Sequence, residues 1–537
     1  MTMTISDSRT NPARLLYAAA FVGGMATMGI EMATTRLIGV VLGTSDLVWA
    51  AINTLVLAYL TIGYYLGGRL ADRAPSPLIF FRLLAWAALF CGLLPVLARP
   101  LMLAMADAFR LANLDILVLV VSGLSVAVLF AVPVTLLGCI SPFVIRLVMV
   151  DRDSAGGVSG RVYALSTLGS ILGTFSPVFV LIPLVGTAWA FGIFAGLLLA
   201  MALIGLYAWQ PAAGLRHAWM PVLLVLVMAV SIQGPIKPAP EGTTLLYEAE
   251  TPYNYVQVVE VNENVMVSRQ PPGTRFLLLN EGQGVHSVYH PAQLQTQATW
   301  DMFLAAPYYN PAPVDPTQID RIAVIGLAAG TVAQQYTAVY GPVHIDGIEI
   351  DPGIVDAGRR FFGMTMPNLN VVVDDGRYGL SRLAGEYDLI AIDAYRVPYI
   401  PWHLSTQEFF EEVRDKLAPE GVVMINVGRT AADRRFVDAM AATMQTVYAT
   451  VHAIDVPYSF NTMLVGTQTV TQPEALADNL ALLPAAAHPL LRDTLALAEV
   501  SQVPVEASEV VFTDNRAPVE TMINAMIVEF VLGEAPE

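Results

Sequence analysis

The sequence predicts a multi-span α-helical membrane domain followed by an α/β domain that opens with a small β-region. Three observations carry this. Charge-poor apolar runs fill residues 13–234. Residues 253–282 alternate and turn like antiparallel strands, as a small sheet requires. From Arg321 onward, strand-like and helix-like segments alternate, the pattern of a parallel sheet covered by helices. With 55% hydrophobic and 14% charged residues over 537 positions, the composition is that of a membrane protein. The expected divisions are 1–236, 237–318 and 319–537.

A membrane-crossing helix needs about 20 apolar residues. Seven segments qualify, near 15–42, 47–68, 77–98, 115–150, 160–184, 187–208 and 217–234. The fourth is overlong and contains Pro133 and Pro142, so it reads as one kinked helix or as two segments. The first is too long for a signal-peptide core and reads as a retained anchor. Arg9, Arg14, Arg69, Arg73, Arg146, Arg152, Arg161 and Arg216 fall in one set of loops, and chiefly Arg99 and Arg110 in the other. The positive-inside rule then puts the N-terminus in the cytoplasm. Seven spans place the following domain outside. An eighth would bring it back but would move Arg161 and Arg216 to the outer side, so the side of the C-terminal domain stays open.

Glu31 and Arg36 lie at membrane depth, where charges are costly. They read as a structural ion pair or as a substrate path. The small residues of "GYYLGGRLADR" (63–73) and "RVYALSTLGSILGTFSPVFVLIPLVG" (161–186) read as helix packing. The net charge of −17, without a basic stripe, excludes a nucleic-acid partner. Cys91 and Cys139 both fall within expected spans, which excludes a disulfide framework and a cysteine zinc site.

In the α/β region, "RIAVIGLAAGTVAQQYTAVYG" (321–341) is a buried strand, a glycine turn and a helix. A second strand ends at Glu349, and Asp351-Pro352 opens the next helix. The third strand ends at Asp374 and Asp375, the fourth at Asp393, and "EGVVMINVG" (420–428) is the fifth. Gly326 and Gly330 let the backbone approach a ligand. Glu349 is placed to accept both hydroxyls of a ribose, and Asp375 to accept from an exocyclic adenine amine. The candidate cofactor-binding residues are therefore Gly326, Gly330, Glu349, Asp351, Asp374 and Asp375. The combination points to a nucleoside-type pocket, with a packing-only sheet as the alternative.

Asp393, Tyr399 and His403, in "IDAYRVPYIPWHLST" (392–406), are the candidate catalytic residues. The bland alternatives are a turn cap for Asp393 and a packed loop histidine for His403. Tyr395, Tyr399 and Trp402 suit stacking on a base, covering a cleft or forming an interface. Asp301 and His286 are further candidates. His286 and His290 have metal-pair spacing but no third ligand, so no metal is expected.

"GIEIDPGIVDAGRRFF", "DDGRYGL", "YDLIAIDAYRVPYIPWHLSTQEFF" and "LNEGQGVHSVYHP", with the membrane stretches "GYYLGGRLADR" and "YALSTLGSILGT", resemble the bacterial spermidine synthase-like proteins that carry an N-terminal multi-span membrane region. The likeness covers about 15–430. It implies a class I methyltransferase-like Rossmann domain that binds S-adenosylmethionine or its decarboxylated form. It also implies a multi-pass place in the bacterial cytoplasmic membrane and nucleoside-binding roles for Glu349 and Asp375. Family aminopropyltransferases carry an acid in the glycine loop, where this chain has Ala328 and Ala329. They carry a second acid after the fourth-strand Asp, where this chain reads Arg396, Val397 and Pro398. Attack by an amine with a pKa of roughly 10 depends on such carboxylates. The resemblance therefore implies a transferase using an S-adenosylmethionine-type donor on a small amine or an amphiphilic acceptor, with true spermidine synthesis disfavoured. The alternative is a catalytically inactive domain that binds a ligand, a protein partner or a second copy beside its membrane anchor.

Overall fold

The structure, a computed structural model, describes residues 12–42, 46–112, 115–149, 151, 153–233, 236–262, 270–280, 284–396 and 398–532. Expectations resting on Arg9, Arg152, Val397 and segments 263–269 and 281–283 lie outside the described residues. The chain divides into two units, Met1–Pro238 and Ala239–Glu537.

Among the described residues, the first unit has seven helices long and apolar enough to cross a membrane, at Ala13–Gly39, Trp49–Arg73, Pro77–Ala98, Ala127–Val148, Ala155–Val185, Thr187–Trp209 and Pro211–Ser231. The overlong fourth segment breaks once, between Asp115–Gly138 and Ile140–Val148. Pro142 has no N–H to donate to the Gly138 carbonyl, so the helical ladder fails there. Cys139 N–H turns back to Leu136 O at 3.2 Å instead. The small-residue stretches are packing surfaces. A Cβ on Gly169 would lie 2.0 Å from the Phe21 carbonyl oxygen, and one on Gly173 would lie 2.0 Å from that of Met25. A Cβ on Gly63 would meet Thr135 O at 2.3 Å. Backbone approach this close needs glycine, and it replaces the hydrophobic drive that lipid cannot supply between helices.

The second unit holds two sheets. The smaller is antiparallel, in the order β1 (Thr243–Glu250), β2 (Tyr255–Val261), β3 (Arg275–Leu279) and β4 (Val285–Tyr289). The larger contains β5 (Arg321–Ile325), β6 (His344–Glu349), β7 (Leu369–Val373), β8 (Tyr387–Ile392), β9 (Leu417–Gly428), β10 (Thr450–Asp455), β11 (Asn461–Thr467) and β12 (Gln502–Val503). Its order is β12-β10-β11-β9-β8-β5-β6-β7. Strands β5 to β9 run parallel, and β11 and β10 are antiparallel additions. This is a class I methyltransferase-like Rossmann arrangement.

Both faces of the sheet are covered, which is why its strands read as continuous apolar runs. In β5, Ile322 and Val324 join one cluster with Tyr336 and Leu389, while Ala323 and Ile325 join another with Ile390 and Phe409. The chain leaves β5 toward β6 and β7 and then crosses to β8 on the other side. That reversal is a topological switch point, and in such sheets ligands bind in the crevice at the carboxyl ends of the strands there. Val256, Val258, Leu277 and Leu279 of the small sheet pack on Ala329, Ile354, Ala357 and Phe362. The small sheet thereby supports the turn after β5 and the helix after β6.

Candidate active site

The turn after β5 is shaped by backbone conformation that side chains resist. Gly326 has φ +84°, and a Cβ there would lie 2.5 Å from the carbonyl oxygen of Asp393. Gly330 has φ +90°, with Met364 Cγ 2.7 Å from its absent Cβ. Between them Ala328 sits at φ +48°, a left-handed conformation that costs an alanine about 1–2 kcal/mol. In return its N–H points at Glu349 Oε2, 2.9 Å away. The neighbouring Ala329 N–H donates to Ser287 Oγ of β4 at 2.9 Å, and the Thr331 hydroxyl donates to Val288 O at 2.9 Å. The small sheet thus pins the loop.

Glu349 ends β6 and is 7% exposed. Its Oε1 accepts the Asp351 N–H at 3.0 Å, so both oxygens are aimed by backbone dipoles. Burial pushes its carboxyl up to about 7, against the pull of those N–H donors. Asp351 is wholly buried. Its Oδ1 caps the helix Pro352–Phe361 through Gly353 N–H at 2.9 Å. Its Oδ2 accepts from the Thr251 hydroxyl at 2.6 Å and from Asn254 Nδ2 at 2.9 Å. It ties the small sheet to the helix rather than lining the crevice. Asp374 accepts the Asp375 N–H at 3.0 Å and lies 3.4 Å from Arg382.

Asp375 Oδ1 caps the helix Gly376–Arg382 through the N–H groups of Arg377 and Tyr378, at 3.0 and 3.1 Å. Its Oδ2 lies 2.8 Å from His403 Nε2. Burial alone would raise this carboxyl, but the Tyr378 N–H and His403 outweigh it and hold it below the ordinary range.

Asp393 closes β8. Asn426 Nδ2 donates to its Oδ1 at 2.9 Å, and the Trp300 indole N–H also reaches it. Burial pushes this carboxyl up to about 7. The three candidate catalytic residues do not converge. His403 turns to Asp375. Tyr399 is buried, with its hydroxyl on Asn524 of the helix Val519–Leu532. The cause is local: Arg396 and Tyr399 exchange backbone hydrogen bonds at 2.8 Å each, and that tight turn sends Tyr399 into the apolar cluster with Ile400 and Leu404. Trp402 is exposed and meets His403 edge-on, with ring centroids 5.7 Å apart.

Asp301 is a turn anchor that accepts from Thr296, Gln297 and Gln335. His290 accepts from Ala292 N–H at 3.2 Å, and burial lowers His286 to about 4. Among the described residues, no group of three His, Cys, Asp or Glu side chains could hold a metal. Sequence reasoning passed over Asn426, Asn461 and Trp300. The one available signal was an asparagine, Asn426, inside the otherwise apolar "GVVMINVG".

Residues 314–475 match the family model described as spermine/spermidine synthase domain. A probable polyamine aminopropyl transferase of Bifidobacterium longum is 31% identical over 41% of this chain and 46% of its own length. A polyamine aminopropyltransferase of Vibrio vulnificus is 31% identical over 33% of the chain and 57% of its own length. The chain thus spans about half the length of these two relatives. Polyamine aminopropyltransferase 1 of Streptomyces coelicolor aligns over 98% of the chain and 96% of its own length at 22% identity. Residues 314–475 are therefore similar to the spermine/spermidine synthase domain and the chain to the polyamine aminopropyltransferases, and its apolar N-terminal helices are consistent with a membrane-fused form.

Proposed function

We propose that the chain is a membrane-anchored transferase that takes an S-adenosylmethionine-type donor and moves a carbon group from its sulfonium to an amine. The observation that carries this reading is Glu349. It is a buried carboxylate at a strand end, with both oxygens aimed by the Ala328 and Asp351 N–H groups. A pair of vicinal hydroxyls suits the remaining lone pairs of such a group. Gly326 and Gly330 keep the adjacent backbone clear of side chains. Asp375 accepts an adenine amine on the crevice side, with His403 fixing its second oxygen.

The donor supplies an electrophilic carbon bound to a positive sulfur. Asp393 receives the acceptor: its carboxylate orients the amine and takes the proton that the nitrogen releases as the C–N bond forms and the C–S bond breaks. With its carboxyl near 7, it suits general-base work at neutral pH. Loop 395–406 contributes Trp402 and His403 at the rim, while Tyr399 anchors the loop from below. By the resemblance, Arg396 and Pro398 stand near where an acid would bind the acceptor amine, so a dicationic polyamine is the less favoured acceptor, and Ala328 and Ala329 stand where an acid would pair with the donor's ammonium. The same replacements support a second reading, a catalytically inactive domain that recognises a ligand or a protein partner beside the bilayer.

The test is binding of S-adenosylmethionine and of its decarboxylated form to the full chain in detergent, with Glu349→Ala as control. Saturable binding that the substitution abolishes supports the transferase. Absence of binding by both forms refutes it. Paired reporters at the C-terminus then establish the side of the membrane, since the donor is a cytoplasmic metabolite.

A further inference from the structure

Asp393 stands at the end of a hydrogen-bond chain that begins at the turn between β10 and β11. The Asn461 backbone N–H donates to Ser459 Oγ at 3.0 Å, which commits the hydroxyl proton to another acceptor. That acceptor is Asn461 Oδ1, at 2.6 Å. With its oxygen so engaged, Asn461 presents its amide nitrogen to Asn426 Oδ1, at 2.9 Å. Asn426 in turn has only its nitrogen left to face Asp393 Oδ1, also at 2.9 Å. Every donor points toward the carboxylate: reversing Asn426 would set its carbonyl oxygen against Asp393, and reversing Asn461 would set one against Asn426 Oδ1. Asn426 is 5% exposed, and its backbone carbonyl accepts from the Tyr395 hydroxyl at 3.0 Å. Chains of this kind polarise in one direction and fix both geometry and charge state.

We propose that Asn461, acting through Asn426, is a positioning residue that holds Asp393 in a single orientation with an amide N–H always turned to it. The anchoring comes from the antiparallel edge of the sheet, through β11 and β9. The inference rests on Asp393 being the acceptor-side carboxylate proposed above. Among the described residues, the groups facing Asp393 from its neighbours are few. Trp300 donates to it, Tyr336 on the helix Thr331–Tyr340 and Tyr395 on the loop lie within electrostatic reach, and Asn426 faces it from β9. Beyond Asn461, Asp455 is paired with Arg434 at 2.7 Å and Arg429 at 3.3 Å.

The experiment uses the full chain in detergent micelles and no donor. A water-soluble carbodiimide activates protonated carboxyls, an added amine traps them, and peptide mass mapping reads modification of Asp393 against pH. Asp393→Asn identifies the signal. The expected wild-type midpoint is near 7. Asn461→Ala moves it upward by about one pH unit, a tenfold change in the ratio of protonated to ionised carboxyl. Ser459→Ala, at the half-exposed outer end, shifts it the same way by less. A midpoint left in place by both substitutions overturns the proposal, and Ser459→Ala decides alone if Asn461→Ala does not fold. A purely structural Asn461 would alter stability without moving the midpoint. Failure of nucleoside binding with the shifts intact would sink the transferase and leave the positioning chain standing.

Discussion

Glu349 gives the most direct numerical test. Its carboxyl is pushed up to about 7 by burial, so at pH 6 about nine-tenths of the sites hold a proton. Two ribose hydroxyls donating to the carboxylate stabilise the ionised form. Binding at pH 6 should therefore release about 0.9 proton, and the dissociation constant should rise up to tenfold per pH unit below 7. Glu349→Gln removes the titration and creates a local conflict. A glutamine has one acceptor for the two N–H donors of Ala328 and Asp351, so one of them faces an NH2 group in either flip. Loss of the charge-assisted bonds should weaken binding by about 3 kcal/mol, more than a hundredfold. The assay is titration calorimetry of the full chain with a neutral 5′-thioadenosine at pH 6 and pH 8, in two buffers of different ionisation enthalpy. An Asp393→Asn background removes the other carboxyl that titrates near 7. A pH-independent dissociation constant with no proton release refutes the reasoning, as does a glutamine variant that binds as tightly as the parent.

The remaining predictions concern stability. Both Glu349 and Asp393 have folded-state values raised to about 7 from 4.5 and 3.8. Their contribution is complete below the unfolded values and disappears as pH rises through 7. Glu349 alone should cost about 3 kcal/mol between pH 4 and pH 8, and Glu349→Gln should make the melting-temperature profile clearly shallower over that window, with Asp393 supplying the slope that is left. Parallel profiles of parent and variant would count against it. Gly326→Ala combines a positive φ with a Cβ 2.5 Å from the Asp393 carbonyl. It should destabilise the second unit by about 2–4 kcal/mol, read as a lowered melting temperature; no change would show that the turn relaxes freely. Thr251→Val removes the 2.6 Å donor to buried Asp351 and should cost about 1–3 kcal/mol by the same measurement. Gly173→Leu, which forces a side chain onto the Met25 carbonyl, should reduce the folded fraction recovered from membranes, and full recovery would contradict the packing role.

Periodicity in the sequence carries much of the fold. Apolar runs of membrane length marked seven helices among the described residues that are long and apolar enough to cross a bilayer. The five parallel strands were legible because a sheet buried on both faces needs unbroken apolar runs. The acids at their ends stood out because each interrupts one of those runs. By itself, then, the sequence determined the long apolar helices, the Rossmann sheet and the strand-end positions of Glu349, Asp375 and Asp393. The partners of those acids were decided by tertiary structure. Asp351 meets Thr251 across 100 positions, His403 meets Asp375 across 28, and Tyr399 meets Asn524 across 125. Asn426 and Asn461, on β9 and β11, meet only because an antiparallel strand folds back beside a parallel one. A loop such as 395–406 has no period to read. Its side chains turn toward the crevice or into the core according to the backbone pairing of Arg396 with Tyr399 and the apolar cluster beneath, and both exist only once the distant elements have packed.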